Sequence, residues 1–119
     1  WRLAGMLLRA RHEGLAVVGW YLPRFEGGAD DLDRVVAIHG FEVLGTRFAG
    51  VALDIEWIGG DIDHDTRSER LLALGDDVRA AVGADPVAAI TQPPVLMEVV
   101  NPEFWPGFPW AGMAEQYDV

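Results

Sequence analysis

The sequence predicts an α/β fold in which parallel strands alternate with helices. Apolar runs of strand length centre near Val18, Leu53 and Ala89, and another begins near Val119, so successive centres lie 35, 36 and 30 residues apart. This period is close to the ~31 residues of one βα unit in a (β/α)8 barrel of about 250 residues. The G-x-G-x-x-G turn of a doubly wound dinucleotide-binding sheet follows none of these runs. We therefore predict a partial (β/α)8 TIM barrel, about half of one, rather than an open doubly wound sheet.

The individual elements follow from local patterns. Continuous apolar runs predict buried parallel strands near residues 15–21, 50–57, 86–91 and 117–119. Apolar residues at helical spacing predict helices at residues 2–13, 30–38, 66–82 and 110–115. Asp30 or Asp31 can cap the second helix, and the T-R-S-E capping box at residues 66–69 opens the third. Residues 40–49 are predicted to be irregular.

The composition excludes several classes of function. The 119 residues include 9 Arg, no Lys and 19 acidic residues, and the formal net charge of −10 is opposite to that of a nucleic-acid-binding face. Without Lys or Cys, the chain offers no Schiff-base lysine, thiol nucleophile, disulfide or thiolate zinc site. Hydrophobic residues make up 50% of the chain but are interrupted by charges, so we expect no membrane span. Carboxylates, histidines, tyrosines and arginines remain for chemistry.

The two ends of the sequence bear on domain organisation. The chain begins at Trp1 and stops at Val119, directly after the fourth predicted strand has begun. We expect residues 1–119 to be one segment, the central part of a larger barrel domain. Free strand edges would make such a segment poorly stable alone or prone to self-association. The location is undetermined by the sequence, and a secreted or cell-envelope protein is compatible with it.

Two carboxylates at the end of the second predicted strand are the most specific signal. Asp54 and Glu56 are two residues apart, so in a strand their side chains point to the same face, in one row with Ala52. Active sites of (β/α)8 barrels are built at the carboxyl ends of the strands. The intervening apolar residues are expected to face the helices: Val51, Leu53 and Ile55. The pair predicts a general acid beside an ionised partner, and the alternative is a carboxylate that pairs with an Arg or caps the following loop.

A family resemblance is carried by residues 48–57, F-A-G-V-A-L-D-I-E-W. They are similar to the fourth-strand signature of chitinase-type glycoside hydrolases of family eighteen, aromatic-D-G-x-D-x-D-x-E-aromatic. Gly50, Asp54 and Glu56 match this signature, whereas Ala49 and Ala52 stand where that family has its first two aspartates. The D-x-E also resembles that of the lysozyme-type muramidases of family twenty-five. A bacterial group of glycosidase-like barrels is a further candidate.

The resemblance implies a glycoside hydrolase-like protein that acts on a polysaccharide and needs no cofactor. Glu56 would donate a proton to the glycosidic oxygen, and Asp54 would orient it or stabilise positive charge. The two alanines remove the three-aspartate relay of the chitinases, so a non-catalytic carbohydrate-binding TIM barrel is one alternative. A metal-dependent hydrolase that uses Asp54, Glu56 and His64 is another.

Aromatic residues cluster at or after the predicted strand ends, namely Trp20, Tyr21, Trp57, Trp105 and Trp110. Flat rings stack on sugars, so we expect at least one of them to contact a saccharide, while the others anchor the core of a long loop. Gln92, directly after the third strand, completes the predicted substrate-binding set. Arg24 either pairs with an anionic substrate or is a surface charge.

An acidic D-x-D-x-D stretch precedes the third predicted helix, with Asp61, Asp63 and Asp65. A calcium-binding EF-hand would need Gly at position 66 and Glu at position 72, where this chain has Thr66 and Leu72. We therefore predict no metal site and interpret the stretch as solvated charge that complements the positive N-terminus of the helix.

Overall fold

A computed structural model describes residues 1–26, 30–56 and 61–119 of the protein. Its α-helices are α1 (Arg2–His12), α2 (Asp30–His39), α3 (His64–Val82) and α4 (Trp110–Gln116). Its strands are β1 (Val18–Tyr21), β2 (Glu42–Val43), β3 (Thr46–Arg47), β4 (Gly50–Asp54) and β5 (Val87–Ile90), and a π-helical turn spans Leu96–Val100. The fold is mixed α/β, as predicted. None of the helices in these ranges is long and apolar enough to cross a membrane.

The main sheet contains β1, β4 and β5 in that order, all parallel, with β4 at its centre. In register, Trp20 lies beside Ala52 and Ala52 beside Ala88, while Asp54 lies beside Ile90. The strand order follows the chain without reversing, which is the arrangement that successive right-handed βα crossovers produce. The described residues form an open three-stranded sheet and no closed barrel.

The core lies between this sheet and the helices on one of its faces. Val51, Leu53 and Ile55 are each at most 1% exposed and belong to one buried cluster with Leu71 and Val78 of α3. Helices α2 and α3 contact each other as well as the sheet region, so they lie side by side on that face. The odd-numbered apolar residues of this segment join that cluster, as predicted, while Ala52 on the opposite face is buried as well, at 4% exposed.

The opposite face of the sheet carries apolar side chains that the described residues leave exposed. Val18 is 45% exposed, Trp20 60% and Ile90 37%. In this register, Trp20, Ala52 and Ala88 lie side by side on neighbouring strands. Asp54 and Ile90 lie side by side two residues further along their strands. The face turned away from the helices is the one that lines the interior when a βα sheet closes into a barrel.

The segment predicted to be irregular, residues 40–49, instead contains a small antiparallel hairpin of β2 and β3. Leu44 and Gly45 connect the two strands with positive φ angles of 47° and 70°. Two successive positive φ angles are typical of the type I′ turn, whose twist suits a two-residue hairpin loop. Arg11 of α1 donates to Thr46 Oγ1 at 2.9 Å and so ties α1 to the hairpin.

Helix α3 begins two residues earlier than the capping box predicted. Asp63 is its N-cap and accepts hydrogen bonds from the backbone N of Thr66 at 2.9 Å and from Thr66 Oγ1 at 2.7 Å. These bonds hold the pKa of Asp63 below its ordinary value. An aspartate caps as well as a Ser or Thr and adds a negative charge at the positive helix end, so the start at residue 66 was wrong.

The predicted fourth strand, residues 117–119, is an extended segment at the free edge of β5. Asp118 N donates to the Val87 carbonyl and Ala89 N donates to the Val119 carbonyl, both at 2.8 Å, so the segment runs in the same direction as β5. Asp118 Oδ2 also accepts from Val87 N at 2.9 Å and from Arg79 at 2.8 Å, and these bonds lower its pKa. Pairing at this edge continues the order of the sheet.

Candidate functional site

Both predicted catalytic carboxylates lie at the carboxyl end of the central strand. The ladder continues one residue beyond β4, because Ile55 N donates to the Ile90 carbonyl at 2.7 Å. Ile55 is buried towards the helices, whereas Asp54 is half-buried and Glu56 is exposed. Register places Asp54 on the side of the sheet opposite the helices, the same side as Trp20, whereas Glu56 follows beyond the end of β4, which stops at Asp54 and not at the predicted residue 57.

The two carboxylates differ in how they are held. Asp54 Oδ1 accepts from the backbone N of Glu56 at 3.3 Å, a contact typical of a side chain that turns back to cap its own loop. Across residues 1–26, 30–56 and 61–119, no side chain forms an ion pair with Asp54 or Glu56. Asp54 is thus oriented by the backbone, and Glu56 is open to solvent and to a ligand.

A third carboxylate, Asp31 in the first turn of α2, organises the loop that follows β1. Its Oδ1 accepts from Tyr21 Oη at 2.7 Å and from Arg24 N at 3.1 Å, and its Oδ2 accepts from Phe25 N at 2.9 Å. Burial, together with this hydrogen bond, raises the pKa of Tyr21 to about 12. From the sequence, Asp31 was predicted only as a possible helix cap. The signal for its second role is the tyrosine at the end of β1, ten residues earlier, to which it is hydrogen-bonded.

The same loop contains a strained backbone position. Phe25 has a φ of 57°, a left-handed conformation that is rare for a bulky residue. Its N–H is held by Asp31, its carbonyl accepts from Arg70 of α3, and its buried ring meets Trp105 edge-on at 6.4 Å. Strained positions persist where the surroundings determine them fully, and they concentrate at functional sites. The backbone at residues 24 and 25, beside the strand end, is therefore held in one conformation.

The predicted sugar-stacking tryptophans fall into different environments. Trp105 is 1% exposed, its Nε1 donates to Ser68 Oγ at 3.0 Å, and the Arg67 guanidinium lies 5.4 Å from its ring centre. It anchors the long loop onto α3, and its ring has no free face for a sugar. Trp110 is half-buried against Phe108, with 4.4 Å between ring centres. Trp57 lies outside the described residues.

The remaining predicted binding residues are divided between the two faces of the sheet. Trp20 is exposed on the open face, where its ring is available to a ligand. Tyr21, the next residue, is directed to the helix side by its bond to Asp31, so its hydroxyl is engaged. Gln92 is half-buried two residues after β5. Among these side chains, Trp20 shares its side of the sheet with Asp54.

A metal centre finds no support in the described part of the chain. No group of three or more His, Asp or Glu side chains that could hold an ion occurs there. His64 begins α3, and its Nδ1 is buried without a hydrogen-bond partner among the described residues. Asp63, the middle residue of the D-x-D-x-D stretch, is occupied as the N-cap.

Comparison of the chain with models of known protein families, with curated proteins and with solved structures gives no match. A function for this chain is therefore inferred from its own residues and their geometry.

Proposed function

We propose that the chain forms part of a (β/α)8 barrel. The parallel order of β1, β4 and β5, the side-by-side helices on one face and the pairing of residues 118–119 beyond β5 support this architecture. The exposed apolar side chain of Val18 supports it as well, because closure would bury this residue, one row deeper than Trp20, inside the barrel. At the free edge of β1, an apolar groove of about 520 Å³ offers space for another strand.

Within this architecture we propose a glycoside hydrolase-like activity on a polysaccharide. The observation that carries the proposal is the placement of Asp54 and Glu56 together at the carboxyl end of the central strand, with Asp54 on the side opposite the helices and Glu56 exposed. Catalytic groups of βα barrels come from this end of the strands. Glycoside hydrolysis commonly needs a carboxylic acid that protonates the leaving oxygen and a second carboxylate that stabilises or attacks the anomeric carbon.

The two residues suit different parts of this reaction. Glu56 is exposed, so it can approach a glycosidic oxygen and act as the proton donor. Asp54 is held by the Glu56 backbone N–H and stays in place beside it, where its charge can orient the acid or stabilise positive charge on the sugar. Trp20 offers an exposed aromatic face on the same side of the sheet for stacking of a sugar ring.

The test is hydrolysis of a panel of polysaccharides by the wild type and by Glu56→Gln, Asp54→Asn and Glu42→Gln. Loss of a general acid typically lowers the rate by about 10²–10⁴-fold, so we expect a loss of that size for Glu56→Gln and a smaller loss for Asp54→Asn. Glu42 is an exposed carboxylate of β2 and serves as the matched control with unchanged rate. An unchanged rate in Glu56→Gln, on every glycan that the wild type cleaves, would show that Glu56 is not the acid.

A carbohydrate-binding barrel without turnover is the second candidate. It is favoured by the contact between Asp54 Oδ1 and the Glu56 N–H, since a carboxylate used to cap a turn needs no catalytic role. Ala52, which stands in the same row, supplies no further acid. Calorimetric binding of an oligosaccharide with no reducing ends released over long incubation would favour this candidate over the enzyme.

A further inference from the structure

A cleft of about 580 Å³ lies at the carboxyl end of β1, the strand that neighbours the central strand β4. Its lining residues come from the strand end, the following loop and α2: Trp20, Tyr21, Leu22, Arg24, Glu26 and Arg34. Trp20, one of the lining residues, belongs to the strand next to that of Asp54, and its backbone lies one strand spacing of ~4.8 Å and two residues along the strand from the backbone of Asp54. A polysaccharide chain can span both.

The arginines of this cleft differ from most others in the chain. Six of the nine have a side-chain contact within the protein: Arg9 with Glu13, Arg11 with Thr46, Arg47 with Asp85, Arg67 with the Trp105 ring, Arg70 with the Phe25 carbonyl and Arg79 with Asp118. For Arg24 and Arg34, no side-chain hydrogen bond or ion pair occurs within the described residues. Both are exposed, and both line the cleft.

The described lining of the cleft carries more positive than negative charge. Two guanidinium groups and one carboxylate, Glu26, give these residues a formal charge of +1, and Asp31, bound to the Tyr21 hydroxyl, adds one negative charge behind them. Both arginines act on the Tyr21 hydroxyl, whose pKa they lower against the larger upward effects of burial and of Asp31. Both cations line the same cleft as this tyrosine. Guanidinium groups bind carboxylates in a planar, two-pronged geometry, which a neutral sugar cannot offer.

The backbone that presents Arg24 is fixed in advance. Asp31 binds the N–H groups of Arg24 and Phe25, and Arg70 binds the Phe25 carbonyl. Arg34 projects from α2, which begins with the same Asp31 turn. A site on such a preorganised loop loses little conformational entropy when a ligand binds. The ring of Trp20 on one side of the cleft supplies the apolar face that a sugar ring needs.

We propose that this cleft is a subsite for a sugar unit that carries a carboxylate, with Trp20 stacked on the ring and Arg24 and Arg34 binding the acidic group. The inference rests on the proposed function and deepens it, because it makes the substrate an acidic polysaccharide. Glu26 accepts hydrogen bonds from sugar hydroxyls in this arrangement and limits the positive charge of the cleft.

The experiment compares acidic oligosaccharides with neutral counterparts of the same size. The probes are trimers of galacturonic acid with their methyl esters, and trimers of glucuronic acid with the matching glucose trimers. Binding to the wild type is measured by isothermal titration calorimetry and by the NMR shifts of the tryptophan indole N–H groups. We expect the wild type to prefer the acidic member of at least one pair by about tenfold or more, and the preference to weaken as salt is added.

Arg24→Gln and Arg34→Gln remove the charge and keep most of the side chain. We expect each to lower the affinity for the acidic probe by about tenfold and to leave that for the neutral probe within twofold. Arg2→Gln removes an exposed arginine of α1 and should change neither affinity. Equal binding of acidic and neutral sugars, or equal effects of the Arg24 and Arg2 variants, overturns the acidic subsite but leaves carbohydrate recognition standing. Absence of binding to every sugar overturns both proposals.

Discussion

Asp31 is the residue whose removal should alter the candidate site most clearly without touching the catalytic pair. In the wild type, the two carboxylate oxygens of Asp31 accept three hydrogen bonds. Asp31→Asn keeps the size of the side chain but replaces one of these two acceptor oxygens by an NH2 group. An amide NH2 would then face the part-buried Phe25 N–H, donor against donor. A donor left unsatisfied costs about 1–3 kcal/mol, so we expect the free energy of unfolding to fall by about 2 kcal/mol. Asp33→Asn, in the same first turn, is the control for the loss of helix-dipole charge.

Two measurements separate this effect from a general loss of stability. Urea unfolding gives the free-energy difference between the Asp31 and Asp33 variants. The ultraviolet absorbance of the phenolate reports on Tyr21, whose pKa of about 12 should fall in Asp31→Asn but stay above 10, because burial is the larger cause. A raised tyrosine pKa stabilises the fold below pH 10, and this contribution is lost as the pH rises through about 12. Equal stability of the two variants, with Tyr21 still titrating near 12, would refute the role given to Asp31.

Three further outcomes follow from single contacts. The Tyr117 hydroxyl is buried without a partner among the described residues, so Tyr117→Phe should leave the melting temperature unchanged or raise it, and a loss above ~1 kcal/mol in urea unfolding would reveal a partner. Ser68→Ala removes the acceptor of the buried Trp105 N–H and should cost about 1–2 kcal/mol in the same assay, with no loss at all contradicting the anchoring role. The hydrogen bond from His39 holds the pKa of Asp85 below its ordinary 3.8, so its stabilising contribution is present above about pH 4 and is lost as the pH falls below it. Asp85→Asn should therefore flatten the acid limb of the stability profile, and an unchanged limb would argue against this linkage.

The parts of the fold that depend on local pattern could be predicted from the sequence. The strands at Val18 and Leu53 and the buried alternation along β4 follow from apolar periodicity, which acts over a few residues. The same periodicity predicted that Asp54 lies on the face opposite Leu53, because side chains alternate in an extended chain, and register confirms this for Asp54. Helix α4, predicted at residues 110–115, ends only one residue later.

The parts that depend on distant contacts could not be predicted in this way. Trp105 is held by Ser68 and Arg67, which lie 37 and 38 residues earlier in the chain. Without these distant contacts, the local sequence does not distinguish a buried tryptophan from one that stacks on a sugar. Asp31 reaches back across the loop to Tyr21, a contact that no helix-capping rule contains. Either Asp63 or Thr66 could be the N-cap of α3. The choice depends on which of the two side chains accepts hydrogen bonds from the free backbone N–H groups of the first turn.

The central claim, that Glu56 is the proton donor of a glycoside-cleaving site, is tested most directly by a crystal structure of the Glu56→Gln protein with a bound oligosaccharide. We expect the side chain at position 56 to lie within hydrogen-bond distance, about 3 Å, of a glycosidic oxygen, with Asp54 beside the same sugar. The distance from position 56 to the second participating carboxylate would also give the stereochemical course, ~5–5.5 Å for retention and ~6.5–9.5 Å for inversion. An oligosaccharide bound elsewhere, or one whose glycosidic oxygens all lie far from position 56, would contradict the claim.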